Sequence, residues 1–388
     1  MAQMISIIGF SFAMPFLPFF ISELGTYNQG QQAFWSGIIL GATGVTLGLF
    51  APLWGVLADR YGRKLMVCRA MFGGTLVMLL MSMVQTVGQL FVCRLLQGVF
   101  TGTIAASVAL VASVTPPHRS GLTLGMMQAA VFVGTSVGPL FGGVAADLFG
   151  YREAFRLGAL VVFSGGLLVL LGVRENFVRP DHKKDGPPMS FKKIFAVSGF
   201  FVAILVMFSV RFSNSMVSPS FPLIIRNILP DTENINSITG SVIAVAALAG
   251  ALSAAFLGHM SDRWGYRKIL VACCFVAATA SLGHFFAYTI RAIFFVRILF
   301  GVSVAGMLPA ANAMIYSIID NKCIGKAYGA ATSLSMIGLA MGPFMGGSIA
   351  RLTDLRTPFL FVAGAQVVLG YLIFKTSSGK SSRAAFSG

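Results

Sequence analysis

Three arginines inside long apolar stretches are the residues of this sequence most suited to chemistry within a membrane. Arg94, Arg211 and Arg297 each lie well inside an apolar stretch long enough to cross the hydrocarbon core, which takes about 20 residues. Arginine keeps its charge at physiological pH and presents five N–H donors. Because burying such a charge in an apolar medium is costly, residues of this kind indicate a functional site.

A polar stripe extends from Arg211 along one helical face. Asn214, Ser215 and Ser218 follow it at i+3, i+4 and i+7, the spacing that places side chains on the same side of a helix. A fixed positive charge beside an amide and two hydroxyl groups suits an anionic group, held by charge-assisted hydrogen bonds. The alternative is a hydrated arginine that lines a pore and takes no part in choosing cargo.

Carboxylates are scarce, which limits the proton chemistry of the chain. Glu23 and Asp147 stand at the ends of apolar stretches, and no Asp or Glu lies near the middle of one. A positive charge such as that of Arg94 favours loss of a proton from a nearby carboxyl group. Glu23 and Asp147 are therefore the candidates for proton exchange near Arg94. The lack of a central carboxylate favours an anionic or neutral substrate over a cationic one.

Other chemistries find no support in the sequence. The five cysteines lie in or near apolar stretches without metal-ligand spacing, and the four histidines are scattered, so we predict no metal site. The sequence shows no catalytic triad, phosphate-binding loop or nucleotide fingerprint. The prediction is a protein that is not an enzyme and needs no cofactor.

The composition indicates which elements must position these residues. Of the 388 residues, 56% are hydrophobic and 10% charged, whereas a soluble domain carries about 25% charged residues. Continuous apolar runs satisfy their backbone hydrogen bonds in a membrane by forming helices. The predicted fold class is an all-α membrane protein with twelve transmembrane helices at approximately 3–24, 34–57, 65–86, 89–112, 121–146, 154–173, 195–225, 237–258, 268–288, 291–317, 325–349 and 357–375.

The distribution of basic residues predicts the topology. The net charge is +16. On one side of the predicted membrane the connections and chain ends hold eighteen Lys and Arg residues, and on the other side they hold six. The positive-inside rule places the richer side, and both termini with it, in the cytoplasm. The basic excess therefore indicates anionic lipid as a neighbour, and no nucleic acid.

The sequence repeats itself with an offset of 203 to 204 residues. GVLADRYGRK at 55–64 returns as GHMSDRWGYRK at 258–268, and Arg94 returns as Arg297. A duplicated half predicts two six-helix bundles joined by a polar linker. We expect bundles at 1–173 and 194–376, a cytoplasmic linker at 174–193 and a cytoplasmic tail at 377–388.

Two parallel six-helix repeats resemble a secondary transporter of the major facilitator superfamily. The loop between helices 2 and 3 resembles the superfamily signature at Gly55, Asp59, Arg60, Gly62, Arg63 and Lys64, and its second copy keeps Asp262, Arg263, Gly265 and Lys268. The helix 4 motif is matched by Arg94, Gln97 and Gly98. The helix 5 exporter signature of drug:proton antiporters is matched by Gly134, Gly138, Pro139, Gly142 and Gly143.

The loop motif of this superfamily implies a latch. Asp59 would meet the N-terminus of helix 11 near Ile324, and Asp262 would meet that of helix 5 near Ser120, because the N-terminal dipole of a helix attracts an anion. These contacts would close the cytoplasmic side in the outward-open state. The alternative, that loop charges only fix the topology, does not explain the two aspartates.

The helix 5 motif and the cavity complete what the resemblance implies. Glycines four residues apart let helices approach closely, and in this superfamily such a face implies a seal between the halves that favours export. Tight packing alone is the alternative. Helices 1 and 7 line the central cavity of the superfamily, so the stripe from Arg211 would face the substrate path.

The resulting prediction is a proton-coupled exporter of small amphipathic molecules, similar to bacterial multidrug and tetracycline efflux proteins. It would work by alternating access as a monomer in the bacterial inner membrane, with H⁺ and membrane lipid as further partners and the proton gradient as its energy source. Among transporters, the alternative is a dedicated exporter of an anionic metabolite such as a carboxylate siderophore, or a sugar exporter. A membrane receptor or scaffold that transports nothing is the alternative from another class.

Overall fold

The computed structural model describes residues 1–115, 120–175, 198–319 and 324–375, which are helical and contain no β-strand. Most of the predicted linker and the predicted tail lie outside them. We number the twelve spans in chain order. They are α1 (Ala2–Ser11, a 3-10 turn at Met14–Phe16, and Leu17–Glu23), α2 (Gln29–Tyr61), α3 (Arg63–Met83), α4 (Val87–Phe100 and Thr103–Val114), α5 (Ser120–Phe149), α6 (Tyr151–Gly172), α7 (Ser198–Met216 and Phe221–Ile228), α8 (Ile235–Trp264), α9 (Tyr266–Phe286), α10 (Ile290–Ile318), α11 (Ile324–Leu352) and α12 (Thr357–Lys375).

Eleven described spans are long and apolar enough to cross a membrane. The remaining span, α4, consists of two shorter helices separated at Thr101 and Gly102. Gly102 has a φ of +104°, in the left-handed region that glycine adopts readily because it has no Cβ. The predicted continuous helix at 89–112 is therefore wrong at this break.

Prolines interrupt α1 and α7 at corresponding positions. Pro15 and Pro18 accompany the 3-10 turn of α1, and Pro219 and Pro222 accompany the break of α7. Proline has no N–H and its ring obstructs the preceding helical turn, so a helix is interrupted there. The continuous first and seventh helices predicted from the sequence are each divided.

Two single-residue turns connect long helices at one end of the molecule. Gly62 joins α2 to α3 and Gly265 joins α8 to α9, with φ values of +98° and +89°. Both φ values lie in the left-handed region, which explains why glycine stands at the two reversals. We call the side that carries Gly62 and Gly265 the turn end. The opposite side, where α1 ends at Glu23 and α5 ends at Phe149, is the closed end.

Each bundle has its own hydrophobic core. In α1–α6 the core includes Met71 and Phe155, and in α7–α12 it includes Phe221 and Phe359. The second core continues across the boundary between the bundles to Phe16 of α1. The bundles are therefore packed together on that side.

The two bundles meet through α2 against α11 and α5 against α8. In the closed-end part of this interface, a Cβ at Gly44 of α2 would be only 2.9 Å from the Ala340 Cα of α11. Nearer the turn end, Cβ positions at Gly48 and Gly55 of α2 and at Gly329 of α11 have no described neighbour from another element within 4 Å. The bundles are in contact at the closed end and apart at the turn end.

Candidate functional site

Asp59 lies near the turn end of α2, with its side chain half-buried. Its carboxylate makes no hydrogen bond or ion pair with any residue that the structure describes. The N-terminus of α11, to which the latch prediction assigns it, is on the separated side of the interface. The side chains of Asp262 and Ser120 lie outside the described set. The latch therefore stays a prediction for the opposite conformation.

A carboxylate that sequence reasoning missed holds the loop between α2 and α3. Glu175, just after α6, accepts hydrogen bonds from the backbone N–H groups of Arg63 at 3.0 Å and Lys64 at 2.7 Å. It thereby caps the N-terminus of α3. The Lys64 Nζ donates to the Leu170 carbonyl oxygen at 2.7 Å. The signal in the sequence is an acidic residue two positions after the predicted span at 154–173.

Arg94 is buried in α4, with 1% of its surface exposed. One Nη donates to the Gln97 Oε1 at 3.1 Å and contacts the Met14 Sδ in the interrupted part of α1. Its Nε and its other Nη have no hydrogen-bond partner among the described residues. The predicted association of Arg94 with Glu23 or Asp147 is not formed, because Arg94 has no carboxylate partner in the described part of the chain.

The rest of the helix 4 motif brings α4 onto α2. The Thr43 Oγ1 donates to the Arg94 carbonyl oxygen at 3.1 Å. A Cβ at Gly98 would overlap the Thr46 hydroxyl and the Thr43 carbonyl group, so this approach requires glycine. The motif therefore fixes Arg94 against α2, a helix that also contacts the other bundle.

Arg297, the repeat counterpart of Arg94, has a different environment in α10. Its guanidinium carbon is 4.4 Å from the ring centroid of Phe221 and 5.6 Å from that of Phe300, distances at which a ring face attracts a cation. One of its Nη atoms has no hydrogen-bond partner among the residues described. The repeat keeps the charge and replaces its polar neighbours with aromatic rings.

The glycines of the helix 5 motif bring α5 mainly against α1. A Cβ at Gly134, Gly138 or Gly142 would overlap atoms of α1, whereas one at Gly143 would overlap the Asn236 carbonyl group of α8. The prediction that this face seals the two halves is therefore wrong for three of the four glycines. Residues four apart lie on one helical face, and that face meets a helix of the same bundle.

The second copy of this motif is arranged in the same way. Cβ positions at Gly338, Gly342 and Gly346 of α11 would overlap α7, and one at Gly347 would overlap the Ala33 carbonyl oxygen of α2. Each motif helix therefore packs along three glycines against the first helix of its own bundle. Its fourth glycine touches the other bundle.

The polar stripe of α7 is only partly exposed. Arg211 is half-buried, and its guanidinium group makes no hydrogen bond or ion pair with any described residue. Asn214 is exposed, and its Nδ2 donates to the Val210 carbonyl oxygen at 3.2 Å. Ser215 is buried, and its Oγ contacts the carbonyl oxygen of Gly338 in α11 at 3.1 Å. The prediction that all four residues face the cavity is therefore wrong for Ser215.

Ser218, the last residue of the stripe, lies in the break of α7 and is half-buried. Its backbone N–H donates to the Ser215 carbonyl oxygen at 3.3 Å, within the last turn before the break. The polar groups of the stripe that remain open to a ligand are foremost those of Arg211 and Asn214.

An apolar recess adjoins Arg211 on its turn-end side. Phe208 of the recess precedes Arg211 by one helical turn. Its volume is about 370 Å³, within the range of about 300–1,000 Å³ typical of small-molecule sites. The recess is apolar, and Arg211 is not among its lining residues. The recess is lined by Phe201, Ile204, Leu205, Phe208, Leu334 and Ile337.

Comparison with known proteins agrees with this architecture. A family model described as the Major Facilitator Superfamily matches residues 1–228 and 203–387 of the chain. The multidrug resistance protein MdtG of Salmonella heidelberg strain SL476 is 33% identical, and the match covers 97% of this chain and 93% of MdtG. MdtG of Salmonella typhimurium strain LT2 matches with the same identity and coverage.

Solved structures share the fold at lower identity. A bacterial homologue of the human lysosomal transporter Spinster, in an inward-facing and occupied conformation, superposes with a TM-score of 0.81 at 14% identity, over 97% of this chain and 94% of that one. The human organic anion transporter MFSD10 superposes with a TM-score of 0.70 at 16% identity, over 96% and 97%. By its family match and its paired bundles, this chain belongs to the Major Facilitator Superfamily.

Proposed function

We propose that this protein is a secondary active transporter of the multidrug efflux type, which exports small amphipathic molecules by alternating access. The observation that carries the proposal is the interface between the bundles, which is closed at one end and open at the other. Two pseudo-symmetric bundles that rock about such an interface expose a central site to each side in turn. The 33% identity to multidrug resistance protein MdtG supports export of drug-like molecules over the siderophore or sugar alternatives.

The distribution of basic residues indicates which end of the molecule would face the cytoplasm. The turn end carries the basic loop residues Arg60, Arg63 and Lys64 and their counterparts in the second bundle, and the positive-inside rule assigns such a side to the cytoplasm. The conformation described here would then be open to the cytoplasm, ready to load cargo for export. The proposed location is the bacterial inner membrane, with both termini in the cytoplasm.

Energy would come from the proton gradient. A secondary transporter needs an ion or substrate gradient in place of a nucleotide, and the sequence contains no nucleotide-binding motif. Arg94, with two N–H-bearing atoms unpartnered among the described residues, is the candidate for coupling proton movement to the change of conformation.

Transport in everted membrane vesicles tests this function. A panel of amphipathic ligands would be offered on the exposed cytoplasmic face, with and without an agent that collapses the proton gradient. We expect accumulation inside the vesicles that requires the gradient. Vesicles without the protein are the control, and accumulation that survives collapse of the gradient would exclude proton coupling.

Asp59→Asn should lower the efflux rate several-fold while the protein remains inserted and folded. A carboxylate at a helix N-terminus contributes up to about 2 kcal/mol, and such a bias changes the ratio of two conformations several-fold. The measurements are the efflux rate and the accessibility of the protein to labelling from each side of the membrane. Asp231→Asn, which removes an exposed carboxylate at the closed end, is the control. Wild-type efflux and unchanged labelling would show that Asp59 forms no latch.

Arg211→Gln should weaken transport of anionic ligands selectively. Hydrogen bonds to a charged group contribute about 1.5–3 kcal/mol, so we expect an approximately ten- to hundredfold loss for anions and little change for neutral or cationic analogues of the same size. Competition assays with matched ligands measure the preference, and Asn214→Ala removes a polar group of the same face without changing the charge. An equal loss for all three ligand classes would leave Arg211 without a role in choosing cargo.

A further inference from the structure

A carboxylate of the first bundle caps a helix of the second bundle at the closed end. Asp147, near the end of α5, accepts hydrogen bonds from the Asn236 backbone N–H at 3.1 Å and the Asn236 Nδ2 at 2.8 Å, and from the Ser237 backbone N–H at 2.7 Å. Asn236 and Ser237 lie in the first turn of α8. Three hydrogen bonds to a single side chain therefore cross the interface between the bundles.

The cap of α8 depends on the other bundle, unlike that of α2 at the same end. The N-cap residue of α8, Asn234, makes no capping hydrogen bond with its side chain. The N-cap residue of α2, Asn28, accepts a hydrogen bond from the Gln31 backbone N–H at 2.9 Å, and the Gln31 Oε1 accepts one from the Asn28 backbone N–H at 3.0 Å. The first N–H groups of a helix have no partner within it. When the bundles separate, α2 keeps its cap and α8 loses the one that Asp147 supplies.

Close backbone packing places the carboxylate on this helix terminus. Gly143, one turn before Asp147, packs against the Asn236 carbonyl group, and Gly240 of α8 packs against the Pro139 carbonyl group. The Tyr151 hydroxyl contacts the Asn236 amide group at 3.2–3.3 Å. No cation is paired with Asp147 in the described part of the chain, so its partners are the amide groups of α8.

We propose that Asp147 and the first turn of α8 form a lock, which holds the closed end shut and must open before cargo can leave from that side. Asp147 is a positioning residue in this proposal. It acts on the balance between two conformations, and it stabilises the closed end because a helix N-terminus attracts a carboxylate and because charge-assisted hydrogen bonds are stronger than neutral ones. The proposal rests on the proposed alternating-access function.

The lock uses the same chemistry as the predicted Asp59 latch, but at the opposite end and in the opposite conformation. Asp59 would engage the N-terminus of α11 when the turn end closes, whereas Asp147 engages α8 while the turn end is open. Loss of Asp147 should therefore favour the conformation in which the turn end is closed, whereas loss of Asp59 should disfavour that conformation. The two variants are expected to change the conformational ratio in opposite directions.

Distance measurement across the closed end tests the lock. Spin labels would be attached at Gln85→Cys and Arg291→Cys, which are both exposed. Gln85 lies between α3 and α4, and Arg291 lies near the start of α10. Cys323→Ser would remove a cysteine outside the described residues, and the other four cysteines are buried. In Asp147→Ala we expect the ratio of long to short distances to rise about tenfold or more, as loss of charge-assisted hydrogen bonds predicts.

Three further variants separate the lock from general damage. Asn236→Ala removes one of the three donors and should shift the ratio in the same direction by less. In the double variant with Asp147→Ala the two shifts should not add, because they remove the same interaction. Asp231→Asn removes an exposed carboxylate at the same end, and Asn28→Ala removes a cap that stays within one bundle. Both of these should leave the distances unchanged.

The outcomes distinguish the lock from the proposed function, since the distances require no transported ligand. A folded Asp147→Ala protein with the wild-type distance distribution would overturn the lock, whether or not the protein transports. A shift equal to that of Asp231→Asn would also overturn it. A shift specific to Asp147 and Asn236 in a protein that transports none of the panel would support the lock and count against the proposed function.

Discussion

Replacing Arg94 with alanine is expected to remove most of the gradient-driven efflux while ligand binding persists. The guanidinium group is buried with two of its nitrogen atoms unpartnered among the described residues, so its charge is held at a cost that a purely structural residue would not require. Arg94 has no ion-pair partner among the described residues, so its removal leaves no opposite charge buried and unpaired, and we expect the protein to fold. Loss of a charge-assisted interaction in the transport cycle corresponds to about a ten- to hundredfold lower rate. Efflux from vesicles and binding in detergent measure the two quantities separately.

Gln97→Ala is the matched control for this prediction. It removes the acceptor at 3.1 Å from Arg94 and keeps the charge, so efflux should fall only slightly. Loss of ligand binding in Arg94→Ala would assign the arginine to the substrate instead of to coupling. Efflux at the wild-type rate would exclude both roles.

Gly142→Ala adds a single methyl group and is expected to destabilise the fold strongly. A Cβ at this position would overlap the carbonyl group of Phe12, where two backbones are in contact and no flexible side chain can move aside. Overpacking of this kind costs about 1–3 kcal/mol, occasionally more. Thermal unfolding of the purified protein and its yield in the membrane would both fall.

Gly364→Ala provides the control, since no described atom lies within 4 Å of a Cβ at that position of α12. Alanine is the better helix former by about 1 kcal/mol, so this variant should be at least as stable as the wild type. Equal stability of Gly142→Ala and Gly364→Ala would show that α1 and α5 are not held as closely as described.

The long elements were predictable from the sequence because hydropathy and length decide whether a segment crosses a membrane. Eleven of the described spans meet this criterion. One of them is α1, although a 3-10 turn interrupts it. The break in α4 was missed because Gly102 resembles any other glycine of an apolar helix until its φ of +104° is known. The breaks in α1 and α7 had a signal in their paired prolines, which hydropathy ignores.

The candidate site was less predictable, because contacts across helices depend on which faces meet. Helical spacing placed Ser215 beside Arg211, but the neighbouring α11 determines that its hydroxyl is buried. The sequence makes Asp147 one of two candidates for proton exchange, because it shows the carboxylate and not the helix terminus that this carboxylate caps. Glu175 was overlooked in the polar segment after α6 for the same reason.

The repeat offset also relates two arginines outside the motifs, Arg152 and Arg356. Arg152 at the start of α6 donates to the Ser82 carbonyl oxygen at 3.0 Å, and Arg356, 204 residues later, donates to the Ala287 carbonyl oxygen at 2.6 Å. Each arginine satisfies carbonyl groups at the end of the third helix of its bundle, where a helix leaves them without partners. The spacing of 204 residues is the signal in the sequence that predicts this pair.

Between the bundles, the closest contacts join backbone to backbone. Gly37 lies on the Pro343 carbonyl group and Gly347 on that of Ala33, and on the second seam Gly240 lies on Pro139 and Gly143 on Asn236. At these four positions no side chain stands between the facing backbones, so parting them there requires no change of rotamer. Dispersion and Cα–H···O attraction over such a smooth surface are lost gradually with distance. Friction between the moving halves should therefore be low, and the speed of the cycle should depend on the few polar contacts that break at each end.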